Sequence, residues 1–289
     1  MGFKTTQTKS DMKTFLIRGA TGLVFGVALI GSMWLGKSTF GPLFLLITMC
    51  SVKEFCTLVE NHKNTTFNKW WAILGGGYLF AAFFATSHCG VEHTLAVFAP
   101  YIALVVYVFI QQVFSTEGSK LDNFAYFTLS QVYTALPFAL LNILSTCGAA
   151  EGETYSMLLP LSIFIFIWCN DTGAFLFGCT LGRHKMCERV SPKKTWEGFA
   201  GGTLVTIGAG VTLYYITDTM AIWEWIGMAV VVVATATLGD LIESCMKREM
   251  QIKDSGNFLP GHGGLLDRFD STLLAVPSAI VYLSLIGII

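Results

Sequence analysis

Between residues 244 and 270 the sequence reads SCMKREMQIKDSGNFLPGHGGLLDRFD, a polar block set between two apolar runs. Lys247, Arg248, Lys253 and Arg268 can neutralise several anionic oxygens, while Asp254, Asp267 and Asp270 offer the hard oxygen donors that magnesium prefers. Gly261, Gly263 and Gly264 carry no Cβ, so their backbone N–H groups can approach a phosphate closely. His262 fits either a donor to a phosphate oxygen or a structural turn residue. A loop that only fixed membrane topology would need the cations, but not the mixed signs, the histidine and the glycines. The block therefore predicts phosphate and metal binding beside a membrane.

Further acids and cations can join it. Asp240 ends an apolar run, and Glu243 and Ser244 follow at three and four residues, so one helical face carries all three. Asp267 and Asp270 share the i, i+3 relation, which aims both at one cation and turns Arg268 away. Asp240, Asp267 and Asp270 then form a candidate metal-holding trio. Upstream, WCNDTGAF places Asn170 and Asp171 inside an apolar segment, where a carboxylate is costly unless it is paired, hydrated or functional. The following GRHKMCERVSPKKTWEGFAGG brings Ser191, Lys193, Lys194, Thr195 and Glu197 to the same aqueous layer. Trp196 fits equally well as an interfacial anchor.

The elements that must position these groups are membrane helices. With 53% hydrophobic and only 13% charged residues, the composition excludes an ordinary soluble domain. Nine spans are expected, near 15–35, 40–59, 70–87, 94–114, 124–145, 156–178, 198–216, 221–242 and 270–289, each close to the ~20 residues a crossing helix needs. The cations support that count. Lys4, Lys9, Lys13 and Arg18, then Lys63 and Lys69, Lys120, Arg183 to Lys194, and the polar block all fall on alternate connections; the other connections hold Lys37 and several acids, including Glu92, Glu151, Glu153 and Asp218. An all-α integral membrane protein follows, with its N-terminus and polar site on the cytoplasmic side. Residues 1–289 read as one multispan domain in which 1–150 are mainly scaffold and 151–289 carry the chemistry. The eight cysteines make no zinc pattern; Cys89 and Cys147 fall on the opposite face, either as a pair or as free small hydrophobes.

The motifs resemble those of the phosphatidate cytidylyltransferases, or CDP-diacylglycerol synthases. The resemblance rests on Ser244, Lys247-Arg248, Lys253-Asp254, Gly256, Pro260 to Gly264 and Asp267-Arg268-x-Asp270, with Asn170-Asp171 and Ser191 to Gly198 upstream. It covers roughly the C-terminal half. It implies transfer of CMP from CTP to phosphatidic acid, giving CDP-diacylglycerol and pyrophosphate, by a multispan enzyme that forms a homodimer. It also implies Mg²⁺ at Asp240, Asp267 and Asp270, leaving open a second cation such as K⁺. In that frame Asp267, Asp270, Lys253 and Arg268 are the expected catalytic groups. Asn170, Asp171, Ser191, Lys193, Lys194, Ser244, Lys247, Arg248, His262, Gly263 and Gly264 are expected to hold substrate, with no assignment of individual cations to CTP or lipid. Nucleic acid is not an expected partner. A bacterial inner membrane fits the compact chain, and the endoplasmic reticulum is the eukaryotic alternative. Two other readings use the same residues: a CTP-dependent lipid kinase, and an ion-coupled transporter lined by Asp171, Asp240 and Glu54.

Overall fold

The structure, a computed structural model, describes residues 21–63, 65–91, 94–147, 149, 152–256 and 263–289. The chain runs through α1 (Thr21–Trp34), α2 (Lys37–His62), α3 (Lys69–His88), α4 (Thr94–Phe114) and α5 (Lys120–Leu129). A π-helical turn, Ser130–Ala135, joins α5 to α6 (Leu136–Leu144). Then come α7 (Leu158–Leu181), the strands β1 (Lys185–Cys187) and β2 (Ser191–Thr195), α8 (Trp196–Ile216), α9 (Ile222–Glu249) and α10 (Leu266–Leu285).

Seven of these helical stretches, counting Lys120–Leu144 as one, are long and apolar enough to cross a membrane. This is an all-α integral membrane architecture. Helices also stand at the two remaining expected spans: Thr21–Trp34 is shorter, and Leu266–Leu285 opens with the charged DRFD turn. The residues between α7 and α8, expected as a plain loop, instead form a small antiparallel ribbon pairing Lys185 with Thr195 and Cys187 with Ser191. Its inner end is held by Glu197, which accepts from the backbone N–H groups of Arg183 and His184 and meets the His184 ring at 2.5 Å.

Local chemistry sets the helix boundaries. Asn68, Ser119 and Thr195 each accept a hydrogen bond from a first-turn N–H, capping α3, α5 and α8. The π-helical turn falls just ahead of Pro137, which has no N–H to donate and crowds the carbonyl four residues back.

Glycine determines how α7 meets α8. A Cβ on Gly173 would stand 2.9 Å from the Gly202 Cα, and one on Gly202 would stand 2.5 Å from Asn170 Oδ1. Small residues thus let the two backbones touch, as membrane helices favour. Beside this seam α9 and α10 pack along each other, and a Gly239 Cβ would lie 2.6 Å from the Asp270 carbonyl. The two halves of the chain meet on Phe269, which is fully buried and edge-on to Phe25 and Phe138 at 5.6 and 5.0 Å. Phe164 completes the cluster at 6.2 Å. Phe269 therefore anchors in the core the turn that carries Asp267, Arg268 and Asp270. All eight cysteines are free, Cys89 and Cys147 among them.

Candidate active site

Three elements supply the four acids. Asp171 comes from the middle of α7, Asp240 from α9, and Asp267 and Asp270 from the first turns of α10; all four line one cavity of about 590 Å³. Arg268, the one exposed residue of this turn, lines the same cavity rather than facing away from the acids. The opposite wall is apolar: α1 contributes Leu23, Phe25, Val27 and Ile30, and α7 adds Ile167 and Trp168. One face is built for charge and the other for hydrocarbon.

A second cavity of about 210 Å³ adjoins it through Asp171 and is lined by Asn170, Lys193, Lys194, Thr195 and Thr237, with Phe175 and Phe199. Thr195 is fixed as the cap of α8, so its neighbours Lys193 and Lys194 enter this space from β2 at a set angle. Lys194 Nζ lies 2.7 Å from Asp240 Oδ2 and bridges the two cavities. Asn170 is buried, with its Oδ1 against Gly202 and without a hydrogen-bond partner among the described residues.

The expected trio is already engaged with protein cations and N–H groups. Ser244 Oγ donates to Asp240 Oδ1 at 3.1 Å, while Lys194 holds Oδ2. Asp267 Oδ1 takes the Lys247 ammonium at 2.7 Å, and its Oδ2 accepts from the N–H groups of Ser255 and Gly264, both at 2.9 Å. Asp270 accepts from the Ser271 N–H at 2.5 Å and has no ammonium or guanidinium partner among the described residues. No group of three acidic, histidine or cysteine side chains converges on one cation position among those residues. The donor chemistry nonetheless fits a hard divalent cation: four carboxylates share one cavity, and Asp270 has no cation of its own.

The remaining expected residues are placed unevenly. Lys247 faces inward to Asp267 and to Glu243 Oε1 at 3.3 Å, the latter an ion-pair distance without hydrogen-bond alignment. Arg248 is exposed and donates to the Ile252 carbonyl, closing the end of α9. Lys253 is exposed on the loop, and Ser191 sits where β2 begins, paired with Cys187. Gly263 adopts φ 82°, a left-handed conformation natural to glycine. Gly264 donates to Asp267 rather than standing open to a phosphate. His262 lies outside the described residues.

One participant entered the sequence reading only as a lining residue of the transporter alternative. Glu54, from α2, accepts from the backbone N–H groups of Leu265 and Leu266 at 2.8 and 3.1 Å and from the Ser255 hydroxyl. It caps α10, and the only available signal was an acid inside an apolar span.

Curated bacterial proteins are similar to part of this chain. A protein of Staphylococcus aureus (strain COL) named phosphatidate cytidylyltransferase is 41% identical over 128 residues, which is 44% of this chain and 49% of the relative. Proteins of the same name from Staphylococcus epidermidis and Staphylococcus haemolyticus are 42% identical over 128 and 118 residues. The matched stretch spans about half the length of these curated relatives. The pattern of the cytidylyltransferase family extends much further, over residues 16–286. With acids, lysines and an apolar wall gathered inside that matched region, the chain belongs to the cytidylyltransferase family.

Proposed function

We propose that the chain transfers CMP from CTP to phosphatidic acid, releasing CDP-diacylglycerol and pyrophosphate. The observation that carries this reading is the two-sided cavity, where Asp171, Asp240, Asp267, Arg268 and Asp270 face an apolar wall from α1. An acceptor with an anionic head and hydrocarbon tails suits such a space. The names borne by the staphylococcal relatives support the same substrates.

The attacking oxygen needs no dedicated base, because a phosphate monoester with a second pKa near 6 is already largely dianionic at neutral pH. The difficulty is to bring two anions together. Lys193 and Lys194 hold CTP phosphates at the smaller cavity, beside Asn170 and Asp171. Arg268 meets the lipid phosphate in the larger one. Lys194 leaves Asp240 for a phosphate oxygen as CTP enters, which frees that carboxylate. The lipid oxygen then forms a bond to the α-phosphorus while the bond to the bridging oxygen of pyrophosphate breaks and its electron pair leaves with pyrophosphate. Asp240, Asp267 and Asp270 would hold Mg²⁺, which when bound supplies positive charge at the α-phosphate and the leaving group. A second cation such as K⁺ would share these acids.

The reading extends to placement. All nine helical stretches cross the membrane, with the N-terminus and the α9–α10 connection in the cytoplasm of a bacterial inner membrane, and the enzyme works as a homodimer. The relatives are bacterial, and the basic connections alternate with the acidic ones.

The test uses full-length protein in mixed micelles with α-³²P-labelled CTP, phosphatidic acid and Mg²⁺. Label enters the lipid only when both substrates are present, and Asp270→Asn loses nearly all of it while remaining folded. Near-full turnover by that variant would remove the metal-holding role. Transfer of γ-label instead of α-label would make the protein a lipid kinase.

A further inference from the structure

We infer that Glu54 is a positioning residue that sets the first turn of α10, and with it Asp267 and Asp270, from the far half of the chain. The inference rests on the proposed reaction for its catalytic consequence, while its geometric part stands by itself. Leu265 and Leu266 carry two of the N–H groups that a helix start leaves without an internal partner, and both donate to the Glu54 carboxylate. The positive end of α10 is thus neutralised by a protein carboxylate and is not an open phosphate site.

The same carboxylate closes the loop stem. The Ser255 hydroxyl donates to Glu54 Oε1, and the Ser255 N–H donates to Asp267 Oδ2. A Cβ on Gly264 would stand 2.0 Å from Glu54 Oε1, and one on Gly256 would stand 3.0 Å from Glu54 Cδ. Both glycines therefore let the chain close around this one side chain. Glu54 and Asp267 together bind the two sides of the polar loop to the start of α10. Loss of the Glu54 acceptor frees Leu265 and Leu266, lets the turn rotate, and moves Asp270 relative to Asp240.

Glu54→Gln is the informative variant, since its amide keeps the volume but turns one acceptor into a donor facing N–H groups. Three readouts are compared with wild type in full-length protein: hydrogen exchange at the Leu265 and Leu266 amides, Mn²⁺ affinity by electron paramagnetic resonance, and CMP transfer. Faster exchange at those amides, Mn²⁺ affinity weakened about tenfold, and a fall in kcat of similar size with little change in KM for CTP are expected. Wild-type exchange and Mn²⁺ affinity in the variant would overturn the inference. A purely structural role would lower yield or melting temperature and leave Mn²⁺ affinity per folded molecule unchanged. If Glu54→Gln fails to fold, Ser255→Ala removes one arm of the clasp, and unaltered exchange at Leu265 in that variant overturns the inference as well. A wild type that binds Mn²⁺ but transfers no CMP would sink the proposed reaction and leave the positioning role standing.

Discussion

Lys247 stands between two buried carboxylates, 2.7 Å from Asp267 and 3.3 Å from Glu243, the latter only 1% exposed. Among the described residues, removing its charge leaves Glu243 without a cation and Asp267 with only the Ser255 and Gly264 N–H groups, so Lys247→Ala is expected to cost about 3–5 kcal/mol, read as a large loss of thermal stability in micelles. Adding Glu243→Gln and Asp267→Asn to a Lys247→Met background should recover most of that stability without restoring CMP transfer. Lys194 is more exposed, and its partner Asp240 keeps the Ser244 hydroxyl when the lysine is removed, so Lys194→Ala should fold normally and raise KM for CTP. An unchanged KM would take Lys194 out of the substrate site. The sequence made the charged residues legible as a group, because their types and spacing on α9 and α10 are local properties. It did not reveal which partners they choose. The Lys194–Asp240 pair depends on how the ribbon folds back over α7, and Glu54 meets Leu265 across 211 residues, a separation at which periodicity carries no signal.

Among the elements, the α7–α8 seam gives a sharp contrast within one helix. Gly202→Ala places a methyl group against Asn170 and should cost about 1–3 kcal/mol by overpacking. Gly208→Ala, on the same helix with nothing within 4 Å, should be neutral or stabilise by up to about 1 kcal/mol through helix propensity. Equal melting temperatures for the two variants would mean that the seam is loosely packed. Where the C-terminal ends of α2 and α9 meet, Lys63 pairs with Glu249 at 2.6 Å, and that hydrogen bond holds the lysine above its ordinary pKa. A raised lysine contributes its full share below the ordinary value and loses it as pH climbs through the raised one. The small stability gap between Lys63→Met and wild type should therefore persist at neutral pH, close at strongly alkaline pH, and shrink in high salt. Hydropathy located the seven long apolar stretches, and also Thr21–Trp34 and Leu266–Leu285, although the first is short and the second opens on a charged turn. It missed the ribbon and the π-helical turn, which are short and follow from Glu197 contacts and from Pro137 rather than from apolar pattern.

At the scale of the whole molecule, the proposed orientation puts Cys89 and Cys245, both exposed, at opposite ends of the bundle. In single-cysteine variants, an impermeant maleimide added to sealed right-side-out vesicles should label Cys89, and Cys245 should react only after the vesicles are opened. Labelling of both from one side would overturn the nine-crossing arrangement. The Glu54 clasp also bears on how the protein is made. Helix α2 leaves the ribosome well before α10, yet the start of α10 is completed by a carboxylate on α2. Until α10 arrives, Glu54 has neither the Leu265 and Leu266 amides nor the Ser255 hydroxyl, and a bare acid waits near the lipid. A chain stalled before residue 264 is therefore an unfinished insertion product, open to capture by quality-control proteases, and the N-terminal half matures only after α10 has been made.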